Sequence, residues 1–370
     1  MATEAGRAVL TVDLGALAGN YRRLRREAVG SAVAGVVKAN GYGLGAPAVA
    51  GALWQAGCRS FFVAQPEEGR ALRAALPDAR IYVLNGLPAG TEEALRAARL
   101  IPVLNQTDEL VRYADLARRL GERLAVALHL DTGMCRLGFD RAEVGRLDPR
   151  LLEPLDVVLV MSHLAVAEEP DHPLNQTQRA RFEEARRLLP PAPASLANSS
   201  GIFLGPAFRY DLCRPGVALY GVNPVPGRAN PMAPVVTLEA PVLQVHAVEA
   251  PGTVGYGASY PTRPGMRIAT VPVGYADGYP RSAGNRATAR IGGRLVPLAG
   301  RVSMDLITLD ISELPAEAVR PGTMATLIGG PDGVDELAKA AGTIGYEILT
   351  RLGSRFARSY IPLEARETPA

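Results

Sequence analysis

The sequence predicts an α/β protein in which a (β/α)8 TIM-like barrel is followed by a mostly antiparallel β domain. Three observations carry this expectation. Between residues 32 and 214, eight short apolar stretches alternate with helix-like ones, which is the rhythm of parallel βαβ units. Eight such strands within about 220 residues suit a closed barrel, which typically takes about 250. After Gly221 the long helices disappear, and short strands punctuated by Gly and Pro take over, as in an antiparallel β domain. The competing reading is an open doubly wound sheet. That fold wants a glycine fingerprint after its first strand, and Gly41-Tyr42-Gly43-Leu44-Gly45 does not have the spacing.

Taken in order, residues 8–14 alternate as a strand does, and 17–28 read as a helix. Strand candidates then fall at 32–38, 60–64, 80–85, 100–104, 124–131, 155–163, 194–198 and 210–214. Helical stretches at 46–56, 66–76, 91–98, 107–120, 141–147 and 175–189 separate most of them. Asn223-Pro224-Val225-Pro226-Gly227 and Asn230-Pro231 read as a linker. Beyond it, strands are expected at 235–248, 267–273, 286–291, 294–298 and 323–328, with helical segments at 334–341 and 343–352. The expected domains are 1–225 and 226–370, with strand 8–14 a candidate member of the second.

Bulk properties narrow the function. The chain has 370 residues, which suggests two domains, and it is 48% hydrophobic and 21% charged, as a soluble globular protein is. A net charge of +3 with scattered basic residues does not suggest nucleic acid. The cluster Arg22-Arg23-Leu24-Arg25-Arg26 reads as a solvated helix face. Three cysteines, Cys58, Cys135 and Cys213, form no disulfide framework and suggest a reducing compartment. With no apolar leader and no membrane-length apolar run, the expectation is a cytoplasmic protein without membrane contact.

The chemistry-bearing residues fall where strands end, the rim on which barrels build their sites. Lys38 closes the first strand candidate in Val36-Val37-Lys38-Ala39-Asn40-Gly41-Tyr42-Gly43. Desolvating an amine there lowers its pKa and suits it to Schiff-base chemistry, although a snorkelling lysine would leave the same pattern. Asp131-Thr132-Gly133-Met134-Cys135-Arg136 ends the fifth strand, His163 the sixth, Asn198-Ser199-Ser200 the seventh and Arg214-Pro215-Gly216-Val217 the eighth. Alone, Arg136 could be a surface ion pair, His163 a core histidine and Ser199 a helix cap. Their shared rim favours a site.

The segment VVKANGYGLGA, with DTGMCRLGF, SHLAVAEEPDHPLNQ, ANSSG, RPGVALYG, TVGYGASY, VPVGYADGYPR and GRVSMD in that order, resembles the alanine racemase family over nearly the whole chain. The resemblance implies a pyridoxal 5′-phosphate (PLP) enzyme acting on alanine as a homodimer with shared active sites and no metal. It implies that Lys38 binds the cofactor covalently and serves as one base. Tyr256, from the partner subunit, is implied as the other. Racemisation wants one base on each face of Cα. Tyr42, Ser199, Gly216 and Val217 match the phosphate-holding positions. Arg214 matches the arginine facing the pyridine nitrogen, and His163 matches its neighbour. Arg136, Met304 and Asp305 match positions that receive the substrate carboxylate, and Tyr275 matches one at the entrance.

Two departures stand out. His129 occupies the place where many members of the family carry a carbamylated lysine, so an anion such as chloride, or a compensating acidic group, is expected beside Arg136 instead. Ser354 aligns with a tyrosine that many members put on the phosphate. Two relatives with the same barrel compete. A non-catalytic PLP-binding barrel would lack Gly255-Tyr256-Gly257 and Ser303-Met304-Asp305. An amino-acid decarboxylase would prefer an acidic partner for the pyridine nitrogen and a cysteine in the β domain, whereas this chain has Arg214 and no cysteine after Cys213. A broad-specificity racemase stays open within the first class. The sequence leaves both directions open, D-alanine supply for peptidoglycan or catabolism.

Overall fold

The computed structural model describes residues 6–330 and 333–363. The chain divides into two compact units. One is Leu17–Leu219 with Pro224–Met232; the other gathers the residues up to Ala16, Tyr220–Asn223 and those from Ala233 on.

In the first unit seven short strands lie parallel and in chain order: Gly35–Val36, Ser60–Val63, Arg80–Val83, Ile101–Leu104, Leu124–His129, Leu155–Met161 and Ala194–Ser195. An eighth, Leu212–Cys213, pairs in parallel with Ala32–Val33, the segment just before the first strand. Backbone bonds on both sides of it close the ring. Asp211 and Arg214 donate to the carbonyls of Ala194 and Ala197 at 3.0 and 2.9 Å, while Ala34 and Val36 donate to Cys213 and Pro215 at 2.9 and 3.1 Å. A closed ring rules out the open sheet.

Parallel strands covered by helices are buried on both faces, so their sequences are apolar without alternation. Phe61, Phe62, Val63, Ile81, Val83, Val103 and Leu104 are all fully buried, each contributing about 1.5–3 kcal/mol by leaving water. Phe62 stacks on Tyr82 of the next strand with centroids 4.5 Å apart. The helix Thr107–Leu120 shows why such segments fold locally. It has Asp108 and Glu109 in its first turn, Arg118 and Arg119 in its last, and Gly121 in the left-handed conformation behind it, matching the helix dipole at both ends.

In the second unit, Val9–Asp13 lies between Val236–Pro241, antiparallel, and Ala357–Ile361, parallel, in a six-stranded sheet. A three-stranded antiparallel sheet joins Gln244–Ala247, Arg267–Val271 and Ile307–Asp310. A small hairpin pairs Gly252–Val254 with Tyr260–Thr262. Among the described residues, no helix is long and apolar enough to cross a membrane.

Several expected boundaries shift. Seven of the eight barrel strands stop one to three residues early, as the chain at their ends enters turns and caps rather than the ladder, while Ile101–Leu104 ends where expected. The stretch 235–248 is two strands, broken after Pro241, which has no N–H to continue a ladder. Strand Ala357–Ile361 escapes the hydrophobic pattern because it is a largely exposed edge strand.

Candidate active site

Lys38 lies two residues past the end of the first strand, after Val37, and opens a left-handed turn. Ala39, Asn40, Gly41 and Tyr42 have φ of 53°, 54°, 63° and 53°, and Gly43 and Gly45 have 82° and 101°. Consecutive L-residues avoid this region because Cβ crowds the following carbonyl. The turn is held by backbone bonds from Gly41 to Val37 and from Gly43 to Ala39, both 2.8 Å. Asn40 Oδ1 accepts from Ala46 N–H at 2.9 Å, and Glu68 Oε1 accepts from Ala39 N–H at 2.6 Å. The other oxygen of Glu68 takes the N–H groups of Ala64 and Gln65 at 2.8 and 3.1 Å. One carboxylate thus ties the turn to the end of the second strand and caps the next helix. Burial and the nearby charge of Arg136 push the Lys38 pKa down, with Glu68 opposing.

Ser199 Oγ accepts from the N–H groups of Gly216 and Ala218 at 3.0 and 3.2 Å. These amides open the short 3-10 turn Val217–Tyr220 and converge on one point, an arrangement suited to an anion. Gly216 has no room for a side chain: a Cβ would lie 2.9 Å from Tyr42 Cζ and closer still to its hydroxyl.

Arg214 is 4% exposed and donates only to neutral oxygens. Nη1 reaches Ser195 Oγ, and Nη2 reaches the carbonyls of Ser162 and Leu196 at 2.5 and 3.5 Å. Burial lowers its pKa to about 10, so it stays cationic at neutral pH. Buried Gln178 fixes the adjoining strand end: its Nε2 donates to the His163 carbonyl at 2.9 Å and to Thr132 Oγ1 at 3.2 Å. Thr132 Oγ1 in turn shares a hydrogen bond of 2.8 Å with Ser162 Oγ. Burial, Arg214 and Arg136 hold His163 well below its ordinary pKa. The same causes lower His129 to about 4. Lys38, His129, His163, Arg136 and Arg214 therefore form one electrostatically coupled group. Arg136 is exposed, and among the described residues no carboxylate pairs with it.

The second unit gathers the remaining expected residues on neighbouring turns. Tyr256 sits between Gly255 and Gly257, with φ of 70° and 74°, and is 71% exposed. The guanidinium of Arg301 packs where a Cβ on Gly257 would be, 2.7 Å from it. Three residues further, Met304 is 54% exposed, and its carbonyl accepts from Ala276 N–H at 3.0 Å, while Tyr275 N–H donates to Ser303 at 3.1 Å. Arg355 bridges Asp305 at 2.7 Å and Asp277 at 3.1 Å. Ser354, beside it, is exposed in a turn.

Residues 12–224 match the family model described as alanine racemase, N-terminal domain, and residues 235–360 match alanine racemase, C-terminal domain. The chain belongs to the alanine racemase family. It is 54% identical over 357 residues to an alanine racemase of Rhodospirillum rubrum, covering 95% of this chain and 96% of that one. It is 52% identical to a catabolic alanine racemase of Mesorhizobium japonicum, covering 96% and 93%. A Bartonella henselae alanine racemase crystal structure with covalently bound PLP superposes with a TM-score of 0.92 at 40% identity, over 96% of this chain and 99% of that one. The Streptomyces coelicolor enzyme gives 0.90 at 37%, over 96% and 98%.

The alanine racemase motifs did not point to Glu68, Asn105, Gln178 or Ser195. Asn105 follows strand Ile101–Leu104 at the same rim as Lys38, a signal available in the sequence. Gln178 and Ser195 carry none, since only the folded chain brings them to Thr132 and Arg214.

Proposed function

We propose that this protein is a PLP-dependent alanine racemase, an isomerase interconverting L- and D-alanine by two bases in a homodimer. Membership of the family supports the activity. The observation that carries the site is Lys38, an amine with a lowered pKa at the barrel rim, set among Arg214, His163 and the Ser199–Gly216 cradle.

The residues present fit the cofactor. The N–H groups of Gly216 and Ala218 converge on one point, where the hydroxyl of Ser199 already accepts from them. With Tyr42, Val217 and Ser354, they are the groups we assign to the phosphate. When bound, PLP withdraws electrons from the substrate Cα and acidifies its proton. Lys38 Nζ and the hydroxyl of Tyr256 of the partner subunit hold and return that proton on opposite faces of Cα. Arg214, cationic and buried, is the residue we assign to the pyridine nitrogen of the bound cofactor, where it would disfavour a second positive charge. The returning proton is thereby kept to Cα. His163 lies beside Arg214 as a neutral neighbour. Arg136, with Met304 and Asp305 of the partner subunit, takes the substrate carboxylate, and Tyr275 stands at the entrance. In this reading 1–225 holds the cofactor and 226–370 serves the partner's site.

The exposure of Tyr256, Tyr275, Met304 and Leu306 on one set of turns supports a partner that covers them. Chloride beside Arg136 answers the positive charge of Arg136, Arg214 and Lys38, because His129 supplies no negative charge. Three free cysteines support the cytoplasm.

Borohydride reduction of the holoenzyme should attach the cofactor to Lys38, and a chiral assay should show alanine racemised fastest among the amino acids. Full activity in Lys38→Ala would overturn the assignment. Activity should fall in chloride-free buffer and recover on adding chloride; chloride-independent kinetics would remove the anion and leave the rest standing.

A further inference from the structure

The other end of the barrel collects arginines. Strands Arg80–Val83, Ile101–Leu104 and Leu124–His129 begin around a cleft of about 640 Å3 that lies wholly within the first unit. Lys38 and its neighbours sit where strands end, so this cleft is separate from the candidate active site. Arg73, Arg80, Arg96, Arg99 and Arg123 line it, against two acids, Asp78 and Glu122. The whole chain is nearly balanced, with 40 basic and 37 acidic residues, so the excess is local.

These positive charges are mostly unanswered. Arg73 and Arg99 both donate to the Pro77 carbonyl, each at 2.9 Å, so two guanidinium groups share one neutral oxygen. Burial and the charge of Arg99 push the Arg73 pKa down, with Asp78 opposing. Among the described residues, Asp78 forms no ion pair with either. Glu122 is taken by Arg96, Nε to Oε1 at 2.6 Å. Arg123 donates to the neutral carbonyl of Leu155 at 2.7 Å. The Arg80 guanidinium has no hydrogen bond or ion pair among the described residues.

Two further features mark the cleft. Helix Glu92–Ala97 ends with Leu100 N–H donating to the Leu95 carbonyl at 2.9 Å, and with Arg99 at a φ of 52°. Glycine is the usual residue at that position, so arginine is held there at a conformational cost. Tyr113 is 2% exposed and lines the cleft, yet its hydroxyl has no hydrogen-bond partner among the described residues. Burial pushes its pKa up to about 12, which keeps it a neutral donor at pH 7. Guanidinium N–H groups and one buried hydroxyl want an anion rich in acceptors. Guanidinium forks match phosphate oxygens. The volume falls within the roughly 300–1,000 Å3 of small-molecule sites and exceeds what one phosphate fills.

We propose that this cleft binds a small oligophosphate: two or three linked phosphates, free or as the tail of a nucleotide. Arg80, Arg99 and Arg123 hold the phosphates, and Tyr113 donates to one oxygen. Arg73, which also donates to the carbonyls of Ala79 at 2.7 Å and Ala98 at 3.2 Å, joins the loops that lead into two of the strands. Occupancy ties the starts of three strands together and stabilises the barrel from the end away from catalysis.

The test is titration calorimetry and thermal unfolding of the holoenzyme, dialysed free of excess cofactor so that its own phosphate cradle stays filled. The probe is inorganic tripolyphosphate at neutral pH and about 0.15 M salt. One site per chain is expected, with an unfolding midpoint raised by about 3 °C or more at a hundredfold excess over Kd. Arg80→Ala and Arg123→Ala should each weaken binding about tenfold. Tyr113→Phe, which removes no charge, should weaken it about threefold or more. Arg22→Ala, on an exposed helix face, should change it less than about twofold. A loss in Arg22→Ala equal to that in Arg80→Ala would reduce the binding to general charge and overturn the proposal. No binding by either readout, or monophosphate held as tightly as tripolyphosphate, would also overturn it. The Arg80 guanidinium and the Tyr113 hydroxyl donate to no other residue, so their variants test the site even if Arg123→Ala fails to fold. ATP held more tightly than tripolyphosphate identifies a nucleotide tail, and equal affinity identifies the free chain.

Discussion

Replacing Glu68 with alanine should both destabilise the protein and loosen its hold on Lys38. Three non-glycine residues, Ala39, Asn40 and Tyr42, sit in the left-handed region, at a cost of roughly 3–6 kcal/mol together. The surroundings must offset that cost. Glu68 bonds the turn directly at Ala39 and anchors itself to Ala64 and Gln65, three bonds that its removal would break. The carboxylate is only half-buried, so each bond is taken at about 1 kcal/mol, the value of an ordinary hydrogen bond rather than of one to a fully buried charge. Glu68→Ala should therefore cost about 2–4 kcal/mol. Glu68→Gln, which keeps one acceptor oxygen, should lose about half of that. Urea unfolding of the apo and holo forms measures this directly, as a lower midpoint at an unchanged slope. Because Glu68 also opposes the depression of the Lys38 pKa, both variants should shift the alkaline limb of cofactor attachment to lower pH. A stability loss under about 0.5 kcal/mol in Glu68→Ala would show that the turn is held by something else.

Mixing inactive Lys38→Ala and Tyr256→Phe subunits should restore part of the activity, because one site of each mixed dimer is intact; no recovery after demonstrated subunit exchange refutes shared sites. Gly216→Ala should weaken cofactor retention by at least about tenfold, since its Cβ collides with buried Tyr42, and equilibrium dialysis reads this; unchanged retention would mean that Tyr42 moves freely. His129, held at about 4 against an ordinary 6.5, binds fewer protons folded than unfolded between those values. Its contribution, about 3 kcal/mol, is full above pH 6.5 and is lost as pH falls toward 4. His129→Gln should therefore flatten that part of the acid-stability curve, and an unchanged curve would show that the imidazole is not desolvated.

The barrel was legible because its strands are buried on both faces. Runs such as Ser60–Val63 and Leu124–His129 are apolar without alternation, and helices of ordinary length separate them. Lys38, His163, Ser199 and Arg214 were legible as polar residues interrupting apolar runs at one rim. Their supports were not. Glu68 reads as an ordinary acid in a first helical turn, and its bond to Ala39 spans two strands. The left-handed turn was visible only as a glycine-rich loop, because alanine and tyrosine do not advertise positive φ. The exposed edge strand Ala357–Ile361 offers a sequence pattern little apolar run, and its pairing with Val9–Asp13 joins opposite ends of the chain.

That last pairing bears on how the protein is made. Strand Val9–Asp13 is synthesised well before both its neighbours, Val236–Pro241 and Ala357–Ile361. At ordinary translation rates the wait for the last neighbour is on the order of tens of seconds. Meanwhile the barrel, whose strands pair in chain order, can assemble as each helix leaves the ribosome. The strand, with Leu10 and Val12 destined for full burial, hangs unpaired until Val236–Pro241 emerges and is open on its other edge until Ala357–Ile361 does. Chaperone occupancy on ribosome-bound chains should therefore concentrate on this strand, and a circular permutant that moves it beside Val236–Pro241 should depend less on chaperones.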